Sequence, residues 1–220
     1  MRMVCMLTLI AALFGCETAY YSINEQVGRL KNDILIDRVE DAVAAQEQAK
    51  EEFKDALEQF EAVVGVSESE LKSTYQRLDS ALSRAQRRAR AVKDRIESVQ
   101  DVSADLFEEW ADELTQIRNP QLRSNSARQL RASRERAASL IQSMNRAALR
   151  MAPVLNAFQD HVLYLKHNLN ARAIASLEGE LSGINADVAR LVSEMEASIA
   201  EAEAFVRRMN GDESPVSVNG

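Results

Sequence analysis

The sequence is poor in the residues that end helices or build compact mixed folds. Proline occurs 3 times, glycine 7 times, and aromatics make up only 5% of 220 residues. The only cysteines are Cys5 and Cys16, which leaves residues 17–220 without a disulfide or a thiolate metal site. The only histidines are His161 and His167, six apart and so on different faces of a helix. No Glu-x-x-His pair occurs, which excludes a di-iron carboxylate bundle on ligand count. Gly-rich phosphate loops are absent, and serines and threonines have no histidine arrangement that suggests a nucleophile. We therefore expect no enzyme activity and no cofactor, with an unrecognised hydrolase as a minor alternative. The net charge of −7 argues against nucleic acid as a partner.

What is abundant is Ala, Glu, Arg, Leu and Gln, all good helix formers. With sustained heptad periodicity, this bias marks a long-helix protein.

The first residues have the three parts of a secretory signal. Arg2 gives a positive start, and Val4 to Phe14 form an apolar run of 11 residues, followed by Leu13-Phe14-Gly15-Cys16. A membrane-spanning helix needs ~20 apolar residues, so the run is too short to span. The tetrapeptide resembles the lipobox of bacterial lipoproteins: Leu13 and Gly15 fit, and Phe14 is bulkier than usual. The expectation is a signal peptide over 1–15 and lipidation at Cys16, with two or more acyl chains holding the protein firmly to a membrane. Glu17, not Asp, follows the cysteine. By resemblance to Gram-negative lipoproteins, that favours the outer membrane, with the protein facing the periplasm.

Past Cys16, the segment to Ser22 reads as a tether, and Ser22-Ile23-Asn24-Glu25 as a capping box that starts the first helix. The bundle domain is expected over 23–210. Helix one carries Ala42, Ala45, Ala49, Phe53, Ala56, Phe60 and Val63 at spacings of three or four. Gly65-Val66 ends it. Ser67-Glu68-Ser69-Glu70 forms a second capping box, with Val66 and Leu71 as its hydrophobic staple. Helix two has a stripe from Leu71 through Leu82, Val92 and Val99 to Leu106 and Trp110. Asn119-Pro120 supplies an N-cap and a first-position proline for helix three. Helix three carries a stripe from Leu130 through Met144 and Phe158 to Leu169, which keeps phase across Pro153, so the helix should kink there and not break. Helix four runs from Ile174 to Met209. Residues 211–220 are polar and expected to fray. The helices, of about 40, 50, 50 and 40 residues, are each roughly 60–75 Å long. Short connections make neighbours antiparallel. The fold class is all-α: an elongated antiparallel bundle of four long helices with coiled-coil-like heptad packing.

Two basic runs stand out: Arg84, Arg87, Arg88, Arg90, Lys93 and Arg95, then Arg123, Arg128, Arg131, Arg134 and Arg136. They suit either an anionic surface or pairing between helices. Folding about 65–66 brings the first run beside Asp33–Glu47. Folding about 119–120 brings the second beside Asp101–Glu113, and folding near 169 brings Arg134–Arg150 beside Glu194–Glu203. Opposite charges meet at every turn, so pairing is the preferred reading. Gly179 and Gly183 read as a close packing point or a weak spot in helix four. Phe107 and Trp110 lie near the tethered end. They are candidates for membrane-proximal contact, with core packing the competing use.

Tyr20-Tyr21, the run from Gly28 to Val39 (Gly28-Arg29-Leu30-Lys31-Asn32-Asp33-Ile34-Leu35-Ile36-Asp37-Arg38-Val39) and the run from Leu163 to Ala171 resemble a family of uncharacterised bacterial helical lipoproteins, classed as a domain of unknown function. The resemblance covers most of the chain after Cys16. It implies an envelope location and a helical fold, and it brings no activity or catalytic residues. The functional expectation is a non-enzymatic scaffold or adaptor. Its partners would be the membrane, through Cys16, and another envelope protein or a second copy of the chain. The alternative is a helical bundle that binds lipid or another amphipathic ligand.

Overall fold

The computed structural model describes residues 16–67 and 69–210. Over them the chain forms α1 (Cys16–Val64), α2 (Leu71–Gln116), α3 (Pro120–His167) and α4 (Ala171–Met209), with no strand among the described residues. The expected signal peptide over 1–15 and the tail over 211–220 lie outside the described residues. α1 packs on α2 and α4, and α3 packs on α2 and α4, so α1 and α3 occupy opposite corners of a square. The helices have 49, 46, 48 and 39 residues. At ~1.5 Å per residue they are roughly 60–75 Å long, as expected.

The stripes point inward. Phe53 and Phe60 of α1, Leu71, Leu78 and Ile96 of α2, Met144, Met151 and Phe158 of α3, and Leu177 and Met195 of α4 are buried. Ala42, Ala49 and Ala56 of α1 and Ala81, Ala85 and Ala89 of α2 are also buried. Such small side chains let helix axes approach closely. α1 and α2 accordingly share the most extensive of the four contacts. Phe60 and Phe158 reach across the diagonal near the 65–70 turn, edge to face with centroids 6.1 Å apart.

Several local expectations need correction. α1 starts at Cys16, so Ser22-Ile23-Asn24-Glu25 lies inside a helix and the expected tether is helical. Glu17–Tyr21 contains no Gly or Pro to stop the helix from extending back. The capping box at 67–70 does not form. The Ser67 hydroxyl donates to the Glu70 carboxylate at 3.0 Å, and Glu70 itself is the N-cap of α2, without a side-chain cap bond. Leu169 leaves the core stripe because α3 ends at His167; it is 37% exposed. Pro153 needs no such correction: as expected it does not break α3, and it sits on the solvent side of the helix. The caps at the two later turns are well made. Asn119 accepts from the N–H groups of Gln121 and Leu122, and Asn170 from those of Arg172 and Ala173.

Gly179 and Gly183 are no packing point, because a Cβ added at either would meet nothing within 4 Å. They are weak spots on an exposed helix face. Gly179→Ala and Gly183→Ala should each raise unfolding free energy by about 0.5–1 kcal/mol in urea titrations. Equal or lower stability would mean that the backbone there needs the freedom of glycine.

One polar pair interrupts the core. The Gln46 side chain is buried and its amide nitrogen donates to Ser198 Oγ at 3.1 Å, while the Ser198 hydroxyl is 3.2 Å from Gln46 Oε1. The pair links α1 to α4 at one height only, which is how a lone polar core position fixes register. Gln46→Leu strands the Ser198 hydroxyl and should cost about 1–3 kcal/mol. The double variant Gln46→Leu/Ser198→Ala should recover most of that loss. Additive losses in a double-mutant cycle would show that the two side chains are not coupled.

Candidate functional site

α1 begins at Cys16, α2 ends at Gln116 and α3 starts at Pro120, all at one end of the bundle. Lys31 of α1 holds Glu109 of α2 there at 2.7 Å. That hydrogen bond, opposed by partial burial, raises the lysine pKa. Nearby, Asp105, Glu108, Asp112 and Glu113 gather around Lys31, and burial followed by the Glu109 charge raises the Glu113 carboxyl above its usual range. No group of three His, Cys, Asp or Glu residues among those described is arranged to hold a metal ion.

The two aromatic candidates at this end are occupied by the fold. Phe107 is only 7% exposed and belongs to the core. It follows Leu106, and both point inward because a helix facing two neighbours buries a stripe wider than one residue. The Phe107 side chain thus serves the core packing that was its competing use. Trp110 is half-buried, and its indole N–H donates to Ser126 Oγ on α3 at 2.9 Å. It acts as a clasp between α2 and α3.

At the opposite end, His161 lies against the Phe60 ring with centroids 5.2 Å apart, and His167 is exposed. The two histidines are not brought together. Burial lowers the His161 pKa, partly opposed by the charges of Glu180 and Asp160.

The basic runs divide into two groups. In the first run, Arg84 pairs with Glu52 at 2.8 Å and with Asp55, and Arg95 pairs with Asp41 at 3.4 Å. Arg150 pairs with Glu194 at 3.6 Å across α3 and α4, and Lys50 reaches Glu47 at 2.7 Å and Glu196 at 3.8 Å. Arg95–Asp41 and Arg150–Glu194 fall in the segments expected across the first and third turns, whereas Arg84 pairs further along α1 than the expected Asp33–Glu47, and Lys50 adds an unexpected link between α1 and α4. The second turn is different. Arg134 donates to the Phe107 carbonyl at 2.7 Å, and Arg128 and Arg136 bond to nearby Ser and Asn side chains of their own helix. Arg123, Arg131 and Arg146 on α3, and Arg87, Arg88, Arg90 and Lys93 on α2, form no ion pair among the described residues. Arg90 and Lys93 instead flank a groove of about 290 Å³ between α2 and α3, floored by Ala89, Ala152 and Leu155 and edged by Asn156 and Gln159. Pairing therefore accounts for only part of the basic content.

A model of a family of proteins of unknown function, DUF2959, matches residues 20–209. The chain belongs to the DUF2959 family. The match spans nearly all of the four helices, so the DUF2959 unit is the whole bundle and not one hairpin of it. No curated protein and no solved structure matches the chain.

Because the folded state depresses the His161 pKa, it binds fewer protons than the unfolded chain around pH 6. His161 thus adds stability above the unfolded value of about 6.5, and that contribution is lost as pH falls below it. Between pH 7.5 and 5.5 the melting temperature should drop more for the parent than for His161→Leu. Parallel curves would mean that His161 does not carry the pH response.

Proposed function

We propose that this protein is a non-enzymatic lipoprotein of the bacterial cell envelope, lipidated at Cys16, whose bundle serves as a scaffold or adaptor for another envelope protein. The observation that carries the proposal is the position of the lipobox-like Leu13-Phe14-Gly15-Cys16, directly before a 49-residue helix that starts at Cys16. An acylated cysteine there would lead straight into α1, with the rest of the bundle packed behind it. Glu17 after the cysteine favours the outer membrane, with the bundle on the periplasmic side.

The packing of the interior favours a scaffold over a carrier of lipid or other amphipathic ligands. A carrier would have to part the Phe60–Phe158 contact and the alanine seam of α1 and α2, both deeply buried. Opening such a core exposes well-packed apolar surface, at a cost of about 25 cal/mol per Å².

Metabolic labelling with radioactive palmitate, membrane fractionation and in-cell crosslinking test the proposal together. The parent should take up label, sediment with outer membranes and crosslink to a dominant envelope protein. Cys16→Ala should lose the label and the crosslink. An unlabelled parent overturns the anchor, and a labelled parent with no crosslinked protein overturns the scaffold.

A further inference from the structure

Charge in this protein is segregated by helix. α1 carries five Lys/Arg against twelve Asp/Glu, a net charge of −7. α3 carries eight Lys/Arg against two Asp/Glu, Glu135 and Asp160, a net charge of +6 in a chain whose total is −7. The two helices stand at opposite corners of the bundle, so one long edge is acidic and the opposite edge cationic.

Exposed apolar side chains follow the cationic edge. The large hydrophobics exposed among the described residues are Leu122, Leu149, Leu163, Tyr164 and Leu169, four of them on α3 and the last in the turn that follows it. Leu149, 72% exposed, and Leu163, 48% exposed, are two heptads apart and share a face. Arg128, three heptads before Leu149, lies on the same face, and Arg131 and Arg146 lie within a quarter turn of it. None of these three arginines pairs with a carboxylate. Arg90 and Lys93 extend the basic surface into the adjoining groove.

We propose that the α3 edge is a docking face for an anionic lipid bilayer, along which the bundle lies lengthwise. Cations interleaved with outward Leu and Tyr are the chemistry of a helix seated at a lipid headgroup boundary. The basic side chains meet anionic headgroups, and the apolar ones enter the acyl region. Nucleic acid would satisfy the arginines and leave Leu149 and Leu163 in water. An acidic protein segment seated in the groove between α2 and α3 would meet Arg90 and Lys93 but none of Arg128, Arg131, Arg146, Leu149 and Leu163, which do not line it. The α3 helix is roughly 72 Å long, so the face suits a plane better than a pocket.

The inference is independent of the lipid anchor and is tested without it. The full chain carrying Cys16→Ala is titrated with vesicles of phosphatidylglycerol and phosphatidylcholine, and binding is read by co-sedimentation. The apolar run over 4–14 is common to every variant, so differences between variants report on the bundle. Arg128→Glu/Arg131→Glu/Arg146→Glu should weaken binding at least about ten-fold. The charge-matched control Arg38→Glu/Lys54→Glu/Arg190→Glu, away from α3, should change it by less than about two-fold, since only charges near the surface count. Leu149→Asn/Leu163→Asn should weaken it several-fold without changing helix content by circular dichroism. Equal losses in the reversal and control variants would reduce the effect to bulk charge and overturn the proposal. So would vesicle binding that neither the reversal nor the leucine variant affects. Reversal-sensitive binding to poly-glutamate without binding to vesicles would also overturn it, and would assign the edge to an acidic protein.

Discussion

Four helices, each with one apolar stripe about 40–50 residues long, can keep those stripes from water only by facing one another. No single helix here has a stripe narrow enough to be covered by one partner. α1 therefore needs both α2 and α4, and α3 needs the same two from the other side. Closure of the square is thus a condition for each helix and not a late addition to a stable hairpin. The alanine seam between α1 and α2 brings that pair closest together. The larger Phe53, Phe60 and Phe158 then fill the centre that the seam leaves.

An apolar stripe alone is indifferent to sliding by a heptad, so register has to come from polar groups. Gln46 and Ser198 supply one fixed point inside the core. Arg84 on Glu52 and Asp55, Arg95 on Asp41, and Lys50 between Glu47 and Glu196 supply others at the surface. Exposed pairs are worth only ~0–1 kcal/mol each, so their role is to select among alignments that the core tolerates equally. The buried amide–hydroxyl pair penalises a wrong register more, because a slip leaves two buried polar groups without partners.

The fold was largely legible because its signals are periodic or punctuated. The Asn119-Pro120 cap follows from local chemistry, and the stripe on α4 follows from spacing alone. The failures over the charges share a cause: they depend on direction around a helix axis, not height along it. Folding the chain about a turn puts Arg84 to Arg95 at the level of the α1 carboxylates, but a helix rotates about 100° per residue. Arg84 and Arg95, eleven residues apart, return to the same side and both pair with α1. Arg90 and Lys93 face α3, where no acid waits. A polar residue between Ala45 and Glu47 reads as surface, so the sequence carries no sign that Gln46 is buried. Nothing in the chain near position 46 announces Ser198, 152 residues away. The imbalance of charge on α3 was countable in the sequence, but it acquires meaning only once α1 and α3 are known to lie across the diagonal.

That diagonal links folding to function. A bundle stabilised solely by complementary charges would spend each arginine on a neighbouring carboxylate and present a mixed surface. Here α1, with its twelve acids, pairs with the basic residues of α2, and the acids of α4 take Arg150 and Lys50. Arg123, Arg128, Arg131 and Arg146 of α3 form no ion pair among the described residues, although the chain as a whole has acid to spare. Leaving them unpaired on the edge that also exposes Leu149 and Leu163 does nothing for the closed core, which ends one helix face away. Unpaired cations and outward leucines that packing does not require, gathered on one edge of the bundle, are best explained by something outside the chain. The acidic α1 corner, pointing the other way, would keep that contact one-sided and limit the orientations in which the bundle can approach a negatively charged surface.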